Sequence, residues 1–257
     1  MPTSHLFQLK LSVVVPVYNE SRTVLRVLDE LLKADDGSGF EIVVVDDGST
    51  DGTRAMLATV ADPRVRVILH DTNMGKGAAV LTGRAAATGT HLLVFDADSE
   101  YDAKDIPGLL EPIRRGRAEV VYGVRRRGVH ATMPTLVHVL GNQVMTLATN
   151  LLYGTAITDL HTCLKLVPTR LLNELTVSET GFGLDTEITA ELLRRGFRPY
   201  EIPVSYVGRS REDGKKIGLK DAFRCFFVLF KVRLRGNTSH GARNKMLIPQ
   251  PCTCVVC

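Results

Sequence analysis

Five β-branched runs alternate with stretches of helical spacing in the first half of the chain, and four of the runs stop at polar side chains. Leu11 to Val17 ends in Tyr18-Asn19-Glu20, and Glu41 to Asp47 runs into Gly48-Ser49-Thr50-Asp51-Gly52. Val65 to Leu69 is shorter. His91 to Phe95 ends in Asp96-Ala97-Asp98-Ser99-Glu100, and Ala118 to Val124 ends in Arg125. Runs this apolar, without polar alternation, are buried on both faces, which is the habit of parallel strands. Repeated strand-helix-strand units predict an α/β fold with a mostly parallel central sheet flanked by helices. In such sheets ligands sit at the carboxyl ends of the strands, where these polar residues fall.

The intervening helices are predicted from spacing and start signals. Val24, Leu25, Val27, Leu28, Leu31 and Leu32 recur at helical intervals, with Asn19 or Ser21 as the cap. Further helices are expected over Thr53 to Val60, from Gly75-Lys76-Gly77 to about Thr88, and over Lys104 to Arg115. There is no G-x-G-x-x-G after the first strand, and Gly75-Lys76-Gly77 lacks P-loop spacing. Lys76, at a helix start, either contacts an anion or is a solvated lysine in a turn.

The acidic end of the fourth strand carries the sharpest chemistry. Asp96 and Asp98, one residue apart on an extended chain, point to one face. Such a pair holds a divalent cation through oxygen, and Glu100 continues the alternation as a third donor. The competing reading is a strand end followed by a solvated acidic turn. Four strands ending in polar groups weigh against it.

The second half changes character. Leu136, Val139, Leu140, Val144, Leu147, Leu151 and Leu152 form an almost uncharged stripe within Met133 to Tyr153. Core packing is the favoured reading, with a place at a lipid headgroup layer as the other. Gly181 to Glu187 leads into a helix ending near Arg195, where Asp185 and Glu187 are either helix N-terminal acids or, in one case, site residues. Pro199 to Val207 reads as a strand. The following loop, Gly208 to Gly218, carries Arg209, Arg211, Lys215 and Lys216, and is either a solvated charge run or a cationic clamp on phosphate. Ala222 to Leu234 sets five large apolar side chains beside Arg224, Lys231 and Arg233, and such a helix rests on an anionic membrane or packs its aromatics on the sheet.

Charge and cysteine narrow the partners. The net charge is only +4, but the bases gather at Arg114 to Arg127, Arg194 to Arg198 and Arg209 to Lys245, which suggests an anionic partner. The basic loops lack aromatic stacking partners, so nucleic acid is not expected. Cys163 and Cys225 stand alone in apolar contexts and read as buried thiols. Cys252, Cys254 and Cys257 lie in a stretch without periodicity, read as a disordered tail. No run reaches the ~20 apolar residues of a membrane span, and Gln8, Lys10 and Ser12 interrupt any signal-peptide core. A cytoplasmic chain, peripheral on the cytosolic membrane face, is the expectation. The expected divisions are an N-terminal extension over 1–10, one catalytic domain over 11–235 and a tail over 236–257.

Val15-Pro16-Val17-Tyr18-Asn19-Glu20, Val45-Asp46-Asp47-Gly48-Ser49-Thr50-Asp51-Gly52-Thr53 and Asp96-Ala97-Asp98 together resemble a family 2 glycosyltransferase of the GT-A fold. Within that family the chain is similar to the polyprenol- and dolichol-phosphate mannosyltransferases and their glucosyl relatives. The resemblance implies that Pro16, Tyr18 and Glu20 contact the nucleoside, with Val45 and Asp47 near the base and ribose. Asp96, Ala97 and Asp98 would meet the sugar diphosphate, and Asp98 with Glu100 would bind Mg2+ or Mn2+. Arg125 would sit at the loop that receives the lipid phosphate, and Arg209, Lys215 and Lys216 would form a basic flap over the diphosphate.

The implied reaction moves a hexose, mannose for preference, from GDP-mannose or UDP-glucose to polyprenyl or dolichyl phosphate at a membrane surface. Charge grows on the departing diphosphate, and a divalent ion and the flap oppose it. A lipid phosphate is already an anion and attacks without a base, inverting the anomeric centre. A hydroxyl acceptor on a glycolipid or polysaccharide would need a base, and Asp185 is the candidate. A nucleotide-sugar-binding protein without turnover is the remaining alternative.

Overall fold

The computed structural model describes residues 9–37, 39–125, 131–132, 136–208 and 219–235 of the chain. In order, the elements are β1 (Leu11–Val17), α1 (Val24–Ala34), β2 (Glu41–Asp46), α2 (Thr53–Leu57), β3 (Val65–Leu69), α3 (Lys76–Ala86) and β4 (His91–Val94). A short 3-10 turn at Ala103–Asp105 leads into α4 (Ile106–Arg114), then β5 (Val121–Val124), β6 (Ala131–Thr132) and α5 (Leu136–Tyr153). The chain continues as β7 (Lys165–Pro168), α6 (Thr169–Glu174), α7 (Leu184–Arg194), β8 (Tyr200–Pro203), β9 (Tyr206–Val207) and α8 (Leu219–Leu234).

The strands β3-β2-β1-β4-β7-β5-β8 make one sheet, and β6 pairs β9 in a second. The β-branched runs of β1 and β2 place Val13, Val14, Val15, Ile42, Val43 and Val44 out of water on both faces. That double burial is why these strands read as unbroken apolar runs. β1 pairs in parallel with β2 on one side and β4 on the other, with Val14 opposite Val43 and Val94. The strand order therefore reverses between β1 and β4, the switch point where such sheets open a crevice. Only β7 runs against its neighbours, antiparallel to both β4 and β5. The predicted mostly parallel sheet is the one observed.

Several boundaries differ from the sequence expectation. α1 begins at Val24 with Thr23 as its cap, and neither Asn19 nor Ser21 caps it. Asn19 sits instead at φ 57, where its Oδ1 accepts from the Thr50 amide at 2.8 Å. The stretch read as one strand from Pro199 to Val207 is two, separated by Val204 and Ser205, and the Ser205 amide donates to Asp105 Oδ2 at 2.6 Å. β7 escaped the sequence reading, since it is four residues long and begins with a lysine.

The largest correction concerns α5. Core packing, the favoured reading of its stripe over a lipid headgroup layer, holds for Leu152, yet Leu140, Val144, Leu147 and Leu151 are exposed. The opposite face of the helix does the packing: Met145 and Tyr153 join Cys225, Val228, Leu229 and Val232 of α8 and Ala190 and Leu193 of α7 in a second apolar cluster. α8 repeats the arrangement. Phe223, Phe226, Phe227, Phe230 and Leu234 are exposed. Among the described residues no helix is long and apolar enough to cross a membrane.

Candidate active site

The loops after β1 and β2 are laced into one wall. The Asn19 amide donates to Ser49 Oγ, the Glu20 amide to Thr53 Oγ1 and the Ser21 amide to Asp51 Oδ2. Burial alone would raise the Asp51 carboxyl, but bonds from Thr53 and Ser21 bring it down to about 2. Tyr18 and Glu20 stand on this wall, with Tyr18 half-exposed and Glu20 Oε2 accepting from Thr23 Oγ1. Pro16 lies partly buried at the mouth of β1. Val45 is fully buried, so its side chain belongs to the core and only its backbone lies near the strand end.

Asp47 is turned inward. Its Oδ1 is 2.8 Å from His70 Nδ1 and accepts from the Met74 amide at 2.9 Å, while Oδ2 accepts from the Gly75 amide at 2.8 Å. It thereby holds the turn that opens α3. That turn demands glycine: Gly75 has φ 97, and a Cβ on Gly75 or Gly77 would lie 2.6 Å from backbone atoms of Thr180 or Glu179. The Thr180 carbonyl accepts from the Ala78 amide at 3.0 Å. Gly75-Lys76-Gly77 is thus a docking surface for the 177–183 segment.

The acidic end of β4 faces this docking surface. Lys76 Nζ lies 2.7 Å from Asp96 Oδ1 and 3.9 Å from Asp185 Oδ2. Lys76 is therefore no solvated turn lysine. Burial would lower its ammonium pKa, but Asp96, Cys163 and Asp185 around it hold it well above the ordinary value. Ala97 is buried, and Asp98 is partly exposed, its Oδ1 accepting from the Glu100 amide at 3.0 Å. Glu100 Oε2 accepts from the Tyr206 hydroxyl at 2.6 Å. Ser99 between them takes φ 60.

Asp185, at the start of α7, comes to the site, and Glu187 does not. Asp185 Oδ1 receives Lys165 Nζ at 3.3 Å, with Lys76 on its other side. Burial pushes its carboxyl up, but Lys165 and Lys76 more than reverse this and hold it below the usual range. Glu187 is a first-turn acid of α7, as the helix N-terminal reading has it, and not a site residue. It is fully buried, accepts from the Ser178 and Glu179 amides at 2.6 and 2.8 Å, and pairs with Arg235 at 3.2 Å.

Arg125 stands at the end of β5 in a doubly bonded pair, its Nε and Nη2 each 2.7 Å from the Asp159 carboxylate. Burial alone would raise Asp159, and Arg125 beside it brings it to about 2. Asp159 Oδ1 also accepts from Asn142 Nδ2, and Asn142 Oδ1 meets His161 Nδ1 at 3.0 Å. Burial and the charge of Lys165 lower His161 to about 4, so its imidazole is neutral at pH 7. Asp159, His161, Lys165 and Tyr206 were not singled out from sequence. Asp159 and His161 lie between elements and Lys165 and Tyr206 open the short strands β7 and β9, and no spacing pattern marks them. The expected flap bases Arg209, Lys215 and Lys216 lie outside the described residues.

Among the described residues, no group of three His, Cys, Asp or Glu side chains is placed to hold a metal ion. Asp98 and Glu100 nevertheless offer hard oxygen donors of the kind Mg2+ and Mn2+ take, two carboxylates with the remaining positions left to phosphate oxygens and water.

A family model described as glycosyl transferase family 2 matches residues 12–176. Glycosyltransferase AglJ of Haloferax volcanii is 27% identical over 219 residues, covering 85% of this chain and 69% of that protein. The low-salt glycan biosynthesis hexosyltransferase Agl6 of the same organism is 28% identical across 79% of this chain, which spans only 49% of it. An undecaprenyl-phosphate mannosyltransferase of Micrococcus luteus is 29% identical, with 82% of this chain and 88% of that protein covered. In structure the chain is similar to glucosyl-3-phosphoglycerate synthase of Mycobacterium tuberculosis in complex with Mg2+ and UDP. The TM-score is 0.70 at 21% identity, covering 90% of this chain and 81% of that one.

Proposed function

The chain belongs to glycosyl transferase family 2, and we propose that within it this protein transfers a hexose, mannose for preference, from a nucleoside-diphosphate sugar to a polyprenyl phosphate at a membrane surface. The observation that carries this reading is the state of Asp185. A hydroxyl acceptor needs a base, and the carboxylate best placed for that work is held ionised between Lys165 and Lys76 with its proton affinity lowered. An acceptor that is already an anion needs none. Arg125, held at the end of β5, is the cation that meets it, and the exposed stripes of α5 and α8 offer a lipid-facing surface nearby. A relative named an undecaprenyl-phosphate mannosyltransferase, matched over most of its own length, supports the same acceptor class.

The residues then divide the work. Pro16, Tyr18 and Glu20 line the nucleoside wall that Asp47 shapes from below. Asp98 and Glu100 would hold Mg2+ or Mn2+, and the bound ion would supply positive charge that offsets the charge developing on the leaving diphosphate. Asp96, Ala97 and Lys76 form the floor under the sugar, and Arg209, Lys215 and Lys216, which lie outside the described residues, are the bases assigned to offset the charge of the diphosphate. A phosphate oxygen of the acceptor forms its bond to the anomeric carbon from the face opposite the diphosphate. The nucleoside diphosphate departs and the centre inverts.

Purified protein is incubated with labelled GDP-mannose or UDP-glucose, Mg2+ and undecaprenyl phosphate. Label is expected in the organic phase. Label that enters only a water-soluble glycan, or no consumption of either donor, rejects the reading. Asp185→Asn is expected to slow transfer by less than about tenfold, whereas loss of a general base would cost roughly 10²- to 10⁴-fold.

A further inference from the structure

Tyr206 touches both ends of the site described above. Its hydroxyl donates to Glu100 Oε2 at 2.6 Å, and the Arg125 guanidinium carbon lies 5.1 Å from the centre of its ring. The ring is almost completely buried and stands edge-on to Tyr101 with centroids 5.2 Å apart. The backbone repeats the link. Tyr206 forms an antiparallel bridge with Tyr101, and the Val207 amide donates to the Glu100 carbonyl at 2.8 Å. β9 then pairs with β6, the strand that follows the residues after Arg125, with Ala131 opposite Tyr206.

We propose that Tyr206 is a positioning residue that sets the spacing between the Glu100 carboxylate and the Arg125 guanidinium, and so between the donor and acceptor ends of the site. This rests on the preceding reading, in which Glu100 faces the donor's metal-bound diphosphate and Arg125 the acceptor phosphate. The hydroxyl bonds Glu100 and also reaches the Arg125 side chain, whereas the ring face meets Arg125 alone. The hydroxyl fixes the Glu100 rotamer through a charge-assisted hydrogen bond. The ring face holds the guanidinium by its quadrupole while Asp159 fixes its fork. A partner that orients a metal-binding carboxylate matters to metal affinity by roughly 10- to 100-fold.

The test separates the two contacts. Tyr206→Phe keeps the ring and removes the hydroxyl, and Tyr206→Leu removes both. Mn2+ binding is followed by the electron paramagnetic resonance of the free ion, with GDP or UDP present and no turnover. Acceptor binding is followed by calorimetry with farnesyl phosphate. Tyr206→Phe is expected to weaken Mn2+ by about tenfold and to weaken farnesyl phosphate less than Tyr206→Leu does. Tyr206→Leu weakens both. If Tyr206→Leu fails to fold, Glu100→Gln decides: combined with it, Tyr206→Phe must cause no further loss of Mn2+ affinity. Parent-like Mn2+ binding by Tyr206→Phe, or an undiminished effect in the Glu100→Gln background, overturns the proposal. If Glu100→Gln binds Mn2+ and Arg125→Ala binds farnesyl phosphate as the parent does, the underlying site reading is wrong, and the proposal falls with it.

Discussion

The β1–β4 half and the α5–α8 layer handle apolar surface in opposite ways. In the first, Val13, Val14, Ile42, Leu92, Leu93 and Phe95 are all sealed inside, and the polar strand ends are tied to one another across the loops. In the second, each helix buries one face against α7 and leaves another apolar face in water. Leu140, Val144, Leu147 and Leu151 follow helical spacing as faithfully as any core stripe. Periodicity therefore reports that a face is apolar and says nothing about what covers it. The first half seals its strands with its own chain and exposes only scattered apolar side chains such as Leu25, Leu69 and Met74. The second leaves whole helix faces uncovered among the described residues.

The largest test strikes the acidic end of the first half. Asp98→Asn keeps the fold, because the side chain is partly exposed at a turn. It is expected to lower the transfer rate by about 10³-fold, since it removes charge-dependent support of the leaving diphosphate. EDTA treatment should reproduce the loss in the parent, and an active Asp98→Asn enzyme would sink the metal assignment.

Next comes the contrast between buried and exposed apolar residues. Leu93→Ala, deep in β4, is expected to cost about 3 kcal/mol in urea unfolding. Phe227→Ala, on the exposed face of α8, should change stability by less than about 0.5 kcal/mol. The same variant should bind less well to vesicles containing anionic lipid, read by co-sedimentation. Equal stability losses for the two variants would erase the distinction between the halves.

A smaller effect tests the seam between them. His161 bridges Asn142 of α5 and Thr186 of α7 and has its pKa lowered to about 4. The unfolded chain protonates near the ordinary value of about 6.5, so it binds more protons in the window between the two. Stability is thus complete above about pH 6.5 and is lost as pH falls toward 4, by about 2 kcal/mol between pH 7 and pH 5. His161→Gln should flatten most of that slope in urea midpoints. His91, also lowered by burial, keeps a remainder. A slope unchanged in His161→Gln would place the titration elsewhere.

Much of the site was visible in the sequence because strand ends are local. Tyr18, Asp47, Asp96, Asp98 and Arg125 each follow an apolar run, and the sheet brings them to one edge. The partners that give them their states were not visible. Nothing in the spacing from Lys76 to Asp185, or from Arg125 to Asp159, signals that these charges meet. Such pairs join distant segments through the packing of α3 and α7 and the reversed strand β7, and long-range contact leaves no periodic trace.

By itself the sequence determined the alternation of strand and helix, the parallel sense of most of the sheet and the sheet edge at which the candidate site residues stand. These follow from which short runs must leave water on both sides. Tertiary structure alone decided that Asp185 lies between two lysines, that Glu187 is an internal anchor and that the α5 stripe faces outward. Each outcome depends on which surfaces meet across the fold, and that competition is settled only when the whole chain is packed.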